Sequence, residues 1–272
     1  MPKIKLATWN INSVRLRQGS VARFVGLAGI DVLCLQETKV ANELFPVDAF
    51  KAMGFEHIEI NGQKGWHGVA IASRLPLERL ESPTHCMHLE PRSLAVKVAG
   101  IELHNLYVPA GGDIPDPEEN RKFLHKLDFL DRMADFYAKR AQKKNAPPLV
   151  LVGDLNVAPY ETDVWSHKQL LNVVSHTPQE TSRLLGTLEG GKFTDVVRAA
   201  MPEPERLFTW WSYRSPDWTK NNRGRRLDHI WATGAAAEAA GISGRDGVGI
   251  HVDCRGWEQP SDHVPVTATF TL

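Results

Sequence analysis

The chain has 272 residues, 24% of them charged and 42% hydrophobic, which suits one large domain over residues 1–272 with ample length to bury a core. No apolar run approaches the roughly 18 residues of a membrane span, and Met1-Pro2-Lys3-Ile4-Lys5-Leu6 enters a strand pattern at once, leaving no room for a secretory leader. A soluble, intracellular, cytoplasmic protein is expected, and because 32 basic residues offset 32 acidic ones, any nucleic-acid partner must be argued from local patches. Cys34, Cys86 and Cys254 lie far apart with no Cys-x-x-Cys, which indicates neither a zinc site nor a disulfide framework, and Cys34 reads as buried strand filler.

Residues 3–11 read as a strand ending at Trp9-Asn10-Ile11-Asn12. Val14, Leu16, Val21, Phe24, Val25 and Leu27 then recur at amphipathic spacing and predict a helix over 14–28, weakened by Gly19. The run Asp31-Val32-Leu33-Cys34-Leu35-Gln36-Glu37 is a buried strand with an acid at its rim. Further β runs fall at 55–60, 68–73, 94–99 and 101–108, the last two joined as a hairpin at Gly100. The longest helix signal extends from Pro117 to Lys144, with Glu118 and Glu119 at its start and Lys139, Arg140, Lys143 and Lys144 at its end, the polarity the helix dipole favours. Phe123, Leu127, Leu130, Ala134 and Tyr137 form its apolar stripe. A strand at 148–154 precedes an irregular, partly helical stretch over 160–206 that includes a short helix at 195–200, and strand patterns resume at 207–213, 227–232 and 264–271. Strands outnumber helices and neighbours pair as hairpins, so the fold class is α+β, a sheet sandwich covered by helices.

Chemistry concentrates where strands end. The apolar run Pro148–Val152 leads into Gly153-Asp154-Leu155-Asn156, where the glycine is expected to permit a sharp exit that exposes the residues after it. An Asp can orient and deprotonate a water, and an Asn two residues on adds a donor and an acceptor without charge, although such pairs are also ordinary turn formers. Other predicted rims deliver Asn10, Asn12, Glu37 and Tyr107, and the C-terminal third adds Arg226-Leu227-Asp228 and Ser261-Asp262-His263. This set of carboxylate, amide and imidazole suits a hard, oxygen-preferring cation and a phosphate. Trp210, Trp211, Tyr213 and Trp218 precede Lys220, Arg223, Arg225 and Arg226, a mixture able to contact phosphates and stack on bases. His67, His85, His88 and His251 have no partner pattern and read as surface or loop residues.

In these motifs the chain resembles the exonuclease III family of AP endonucleases, within the endonuclease/exonuclease/phosphatase superfamily. The resemblance rests on Thr8-Trp9-Asn10-Ile11-Asn12, Leu35-Gln36-Glu37-Thr38-Lys39, Tyr107-Val108-Pro109, Gly153-Asp154-Leu155-Asn156-Val157-Ala158-Pro159, Arg226-Leu227-Asp228 and Ser261-Asp262-His263-Val264-Pro265, in that order over nearly the whole chain. It implies a four-layer sandwich of two mainly antiparallel β-sheets flanked by helices, with a metal site for Mg²⁺, or alternatively Mn²⁺, at one rim. Glu37 is then the principal metal ligand, with Asn10 and Asn12 beside it as ligands or supports and Asp262 as an additional ligand. Asp154 activates the attacking water and Asn156 holds that water or the phosphate. Tyr107 binds the scissile phosphate or assists the departing 3′ oxygen, and His263 donates to a phosphoryl oxygen while Asp228 orients and charges it. Asp228-His229 is a competing dipeptide, but the motif through Ser261 and Pro265 favours His263, and His229 falls inside a predicted strand.

The same resemblance makes Trp210 and Leu227 the apolar walls of a pocket for a base-free deoxyribose, with Arg225 standing where many relatives carry an aromatic residue. The segment Ala110-Gly111-Gly112-Asp113 lacks the basic residue that some relatives insert into DNA. The implied activity is Mg²⁺-dependent cleavage of double-stranded DNA 5′ to abasic sites, with 3′-phosphodiesterase and 3′-5′ exonuclease activity on duplex DNA that includes blocked 3′ ends. Alternatives are a phosphatase acting on a small phosphoester and a catalytically inactive nucleic-acid-binding member. No oligomerisation motif is evident, so a monomer is the default expectation.

Overall fold

Side-chain alternation along the strands builds the layers. In β1 (Lys3–Asn10), Leu6 packs on one face and Ala7 and Trp9 on the other, as period-two geometry requires. This computed structural model describes residues 3–215, 217–241 and 243–271. The strands that follow β1 are β2 (Val32–Gln36), β3 (His57–Asn61), β4 (Val69–Ser73), β5 (Leu77–Arg79), β6 (Ser93–Val98) and β7 (Ile101–Tyr107). After them come β8 (Leu149–Asp154), β9 (Thr194–Asp195), β10 (Asp228–Ala232), β11 (Val248–Ile250) and β12 (Val266–Thr271).

They form two six-stranded sheets, in the orders β11-β12-β1-β2-β4-β3 and β5-β6-β7-β8-β10-β9. The pairs β1–β2 and β7–β8 are parallel and the other ladders are antiparallel. Leu6, Cys34 and Ile71 from the first sheet meet Val96, Leu103, Val152 and Ile230 from the second in one buried core. The helix Gln18–Ala28 covers the outer face of the first sheet through Val21, Phe24 and Val25. The helix Arg121–Ala141 covers the second through Phe129, Leu130, Met133 and Tyr137. Helix, sheet, sheet and helix make the four layers expected. No helix among the described residues is long and apolar enough to cross a membrane.

Topology also places the ends. The parallel strands of each sheet send their C-termini to one rim, and β10 and β12, antiparallel to β8 and β1, begin at that same rim.

Several local expectations change. The long helix begins at Arg121, not Pro117, because the Asn120 side chain accepts from Lys122 N–H at 3.0 Å, while Asp116 gathers Glu118 N–H at 2.8 Å in a separate turn. The first helix begins at Gln18, so Val14 and Leu16 precede it. The stretch 207–213 is not a strand: Trp210 makes only isolated bridges to Arg225 and His263, because this segment crosses the rim between the sheets. Gly153 does not end its strand, which continues through Asp154. It is required by close approach, since a Cβ there would lie 1.9 Å from Leu106 O with φ at +141°.

Candidate active site

The rim gathers Asn10 from β1, Glu37 just past β2, Tyr107 and Asp154 from the ends of β7 and β8, Asp228 from the start of β10 and His263 from the segment before β12. Among the residues there, Asn12, Glu37, Lys39 and Asn156 hold left-handed backbone, at φ +46°, +50°, +53° and +53°. Asn tolerates that region, whereas Glu carries strain. Glu37 is held by its neighbours' bonds, Ser13 N–H to Glu37 O at 2.7 Å and Thr38 N–H to Gly68 O at 3.2 Å.

Asn10 joins the two sheets' acids. Its Nδ2 donates to Glu37 Oε1 and Asp154 Oδ2, each at 2.8 Å, while its Oδ1 accepts from Asn12 N–H at 3.1 Å. Tyr107 donates its hydroxyl to Glu37 Oε1 at 2.9 Å, and Lys39 Nζ stands 2.8 Å from Glu37 Oε2. Asp154 accepts from Asn156 N–H at 2.9 Å and from Asn156 Nδ2 at 3.1 Å. His263 Nδ1 lies 2.8 Å from Asp228 Oδ2 and its Nε2 3.6 Å from Asp154 Oδ2. Thr209 Oγ1 donates to Asp228 Oδ2 at 2.6 Å, and buried Asp228 Oδ1 has no hydrogen-bond partner among the described residues.

The electrostatics follow from this packing. Burial drives the Asp154 carboxyl up to about 7, with Asp228 and Glu37 reinforcing and His263 opposing. Burial acts to lower the His263 imidazole, but the Asp228 and Asp154 charges outweigh it and push it up to about 10. The imidazole is therefore cationic at neutral pH. Burial raises Glu37, yet the Lys39 ammonium and the Asn10 amide prevail and hold it below the usual carboxylate range. Burial and then Glu37 and Asp154 keep the Tyr107 phenol protonated.

Asn12 and Asp262 stand one step outward. Asn12 Nδ2 donates to Asp262 Oδ1 at 3.2 Å, Lys39 Nζ donates to Asn12 Oδ1 at 2.5 Å, and Trp210 Nε1 donates to Asp262 Oδ2 at 3.0 Å. Beside them opens a cleft of about 790 Å³, walled by Trp165, Leu170, Val174, Trp210, Arg225 and Leu227. Arg225 is tied to that wall: Nη1 donates to Val174 O at 2.8 Å and Ser175 Oγ at 2.6 Å, and its guanidinium sits 5.2 Å from the Trp210 ring centre.

The basic, aromatic stretch therefore divides. Arg226 is not a phosphate contact; it is fully buried, donating to Asp163 at 2.8 and 2.9 Å and to Asp195 at 2.8 Å, whereas Lys220 and Arg223 remain exposed. His229 is buried too, bonded to Val157 O at 2.9 Å on the face away from His263, and burial and Arg226 lower it to about 3. His85 is no surface residue, since it packs edge-on against Phe129 and Phe136 at 1% exposure.

A profile of the Endonuclease/Exonuclease/phosphatase family matches residues 7–263. The chain belongs to that family. It is similar to exodeoxyribonuclease III of Haemophilus influenzae, 30% identical with 98% of this chain and all of the relative covered. The structure of an AP endonuclease from Archaeoglobus fulgidus superposes with a TM-score of 0.87 at 34% identity, covering 99% of this chain and 100% of that one. The 3′ phosphatase NExo from Neisseria, solved bound to a product DNA hairpin, gives 0.86 at 30% identity with the same coverage.

Metal dependence is general to this family, and the donors here fit a hard cation: the convergent groups are carboxylate and amide oxygens with one imidazole, and the Asp228 oxygen without a partner lies among them. Several contacts of the site have no sequence signal: Lys39 and Ser261 lie inside motifs without a pattern that assigns their partners, although Ser261 Oγ donates to Asn10 O at 2.7 Å, and Thr209 Oγ1 accepts from Leu227 N–H at 3.0 Å. Lys126 was hidden in a helix stripe, although its Nζ donates to Asn156 O at 2.7 Å and pairs with fully buried Glu180.

Beneath the rim a buried amide pair spans the sheets. Gln36 Nε2 donates to Asn105 Oδ1 at 2.7 Å and to Thr8 Oγ1 at 2.9 Å, and Asn105 Nδ2 donates to the carbonyls of Leu35 and Ala70 at 3.0 Å.

Proposed function

We propose that this protein is a Mg²⁺-dependent DNA-repair phosphodiesterase, acting as one monomeric domain, that cuts duplex DNA 5′ to abasic sites and also trims blocked 3′ ends. The observation that carries the reading is the meeting of Asn10 and Glu37 from one sheet with Tyr107, Asp154 and the Asp228–His263 pair from the other, beside a cleft walled by Trp210 and Leu227. The chain's likeness to an exodeoxyribonuclease III, an AP endonuclease and a 3′ phosphatase supports it.

Glu37 and Asn10 would hold the cation, with Asp262 and Asn12 one step outward. When bound, the cation neutralises charge on the phosphoryl oxygens. Asp154 takes a proton from the attacking water, which Asn156 helps to orient. Cationic His263, charged by Asp228, donates to a non-bridging phosphoryl oxygen as its negative charge grows. The Tyr107 phenol, kept protonated, binds the same phosphate or assists the 3′ oxygen as it leaves. Trp210 and Leu227 admit a sugar without its base, and Arg225, anchored across the Trp210 face, sets how deep that pocket is.

Cleavage of a labelled duplex bearing one abasic-site analogue, beside an intact duplex, with Mg²⁺ and with chelator, tests the proposal. Metal-dependent incision on the 5′ side of the analogue is expected. Failure to cut, with phosphate released from a small phosphoester instead, would overturn the substrate and leave the hydrolytic chemistry standing.

A further inference from the structure

A second cluster of metal-ligand side chains lies where the loop between β5 and β6 meets the helix Arg121–Ala141. Cys86 Sγ is 3.2 Å from His125 Nε2 and 3.8 Å from Glu90 Oε2, and one donor atom from each residue falls within 4.8 Å of the other two. A tight turn, closed by Leu89 N–H donating to Cys86 O at 3.1 Å, folds Cys86, His88 and Glu90 toward the helix. The His88 ring centre lies 4.6 Å from that of His125. Cys86 and His125 are buried at 4% and 9% exposure, while His88 is exposed and Glu90 partly so, giving an entry path for an ion.

We propose that Cys86, His125 and Glu90, with His88 as a fourth donor, form a site for a divalent cation of the Zn²⁺ class, separate from the hydrolytic centre. The ligand chemistry decides the class. Thiolate and imidazole favour Zn²⁺ and disfavour Mg²⁺, which demands oxygen. Two ligands on one tetrahedral Zn²⁺, at about 2.3 Å for sulfur and about 2.0–2.1 Å for nitrogen, stand roughly 3.5 Å apart, close to the spacing already present between Cys86 and His125. Glu90 also accepts from Arg92 Nε at 2.6 Å, and a carboxylate's roughly four lone-pair positions allow it to keep that bond while serving an ion. Binding releases the Cys86 thiol proton to solvent and changes no oxidation state. The same Cys86–His125 contact without a metal is an ordinary thiol–imidazole hydrogen bond, and that is the reading the test must beat.

Co²⁺ serves as the spectroscopic stand-in for Zn²⁺. The full-length protein is stripped with chelator, dialysed, supplied with excess Mg²⁺ for the oxygen-donor centre, and titrated with Co²⁺. The proposal expects a thiolate-to-cobalt charge-transfer band in the near ultraviolet that saturates at one ion per chain and is bleached by Zn²⁺. Cys86→Ser removes the band, His125→Gln weakens binding at least tenfold, and Cys254→Ser leaves both unchanged. Absence of the band at saturating Co²⁺, or its survival in Cys86→Ser, overturns the site. If Cys86→Ser does not fold, His125→Gln and Glu90→Gln decide: wild-type titrations in both overturn it, and weakened ones uphold it.

Discussion

At the scale of single residues, Asp154 and the Asp228–His263 pair invite direct tests. Asp154→Asn should lower kcat on the order of 10²–10⁴-fold, the range of a lost general base, while binding of abasic duplex, followed by gel shift or anisotropy, persists; an unchanged rate would sink the assigned role. The pH profile follows from charge. His263 is raised to about 10, so the cation proposed to donate to phosphate is present at neutral pH and is lost as pH rises through that value. Asp228→Asn removes the strongest opposing charge, and the alkaline limb of kcat/KM should move down by about 1–3 pH units. Most of this cluster was legible in the sequence because short motifs set its polar residues directly beside apolar strand runs. What was not legible is contact made through space: Lys39 on Glu37, Thr209 on Asp228 and Lys126 behind Asn156 each depend on how remote segments cross. Cys86 belongs here too, since the residue that faces it, His125, is 39 positions away and no spacing rule links them.

At the scale of elements, apolar periodicity located the long strands and helices, and polar detail decided their ends. Asn120 caps the helix Arg121–Ala141 from a position that Pro117 and the following acids had seemed to claim. Asn120→Ala should therefore cost about 1 kcal/mol in denaturant unfolding, while Glu118→Ala, outside the helix, should leave stability unchanged. Gly153 makes a sharper case. Gly153→Ala places a methyl against Leu106 O at positive φ, and a loss of about 3 kcal/mol or more is expected from chemical denaturation. A stability equal to wild type would mean that β7 and β8 approach less closely than described. The segment 207–213 read as a strand because its aromatics and Thr match strand composition, and composition does not register that Trp210 must bridge two other segments instead of joining a ladder.

At the scale of the whole molecule, the site belongs to neither sheet alone, so what binds there should reinforce their union. Mg²⁺ should raise the Tm of chelator-treated protein, and more at pH 8 than at pH 5. The sign follows from Asp154: with its carboxyl raised to about 7, it is mostly protonated at the lower pH, which leaves less negative charge to receive a cation, and deprotonated at the higher. An equal shift at both pH values, read by calorimetry, would contradict that account. The buried Gln36–Asn105 pair carries a further consequence. Oily side chains between two sheets accept many small slides of one sheet over the other, because dispersion contacts are not directional. Two amides locked to each other and to fixed carbonyls accept one alignment, since any slip leaves buried donors without acceptors. They work as a key between the halves of the sandwich, so that the separation of Glu37 from Asp154 is fixed by polar contacts that admit one register and not by the apolar packing around them.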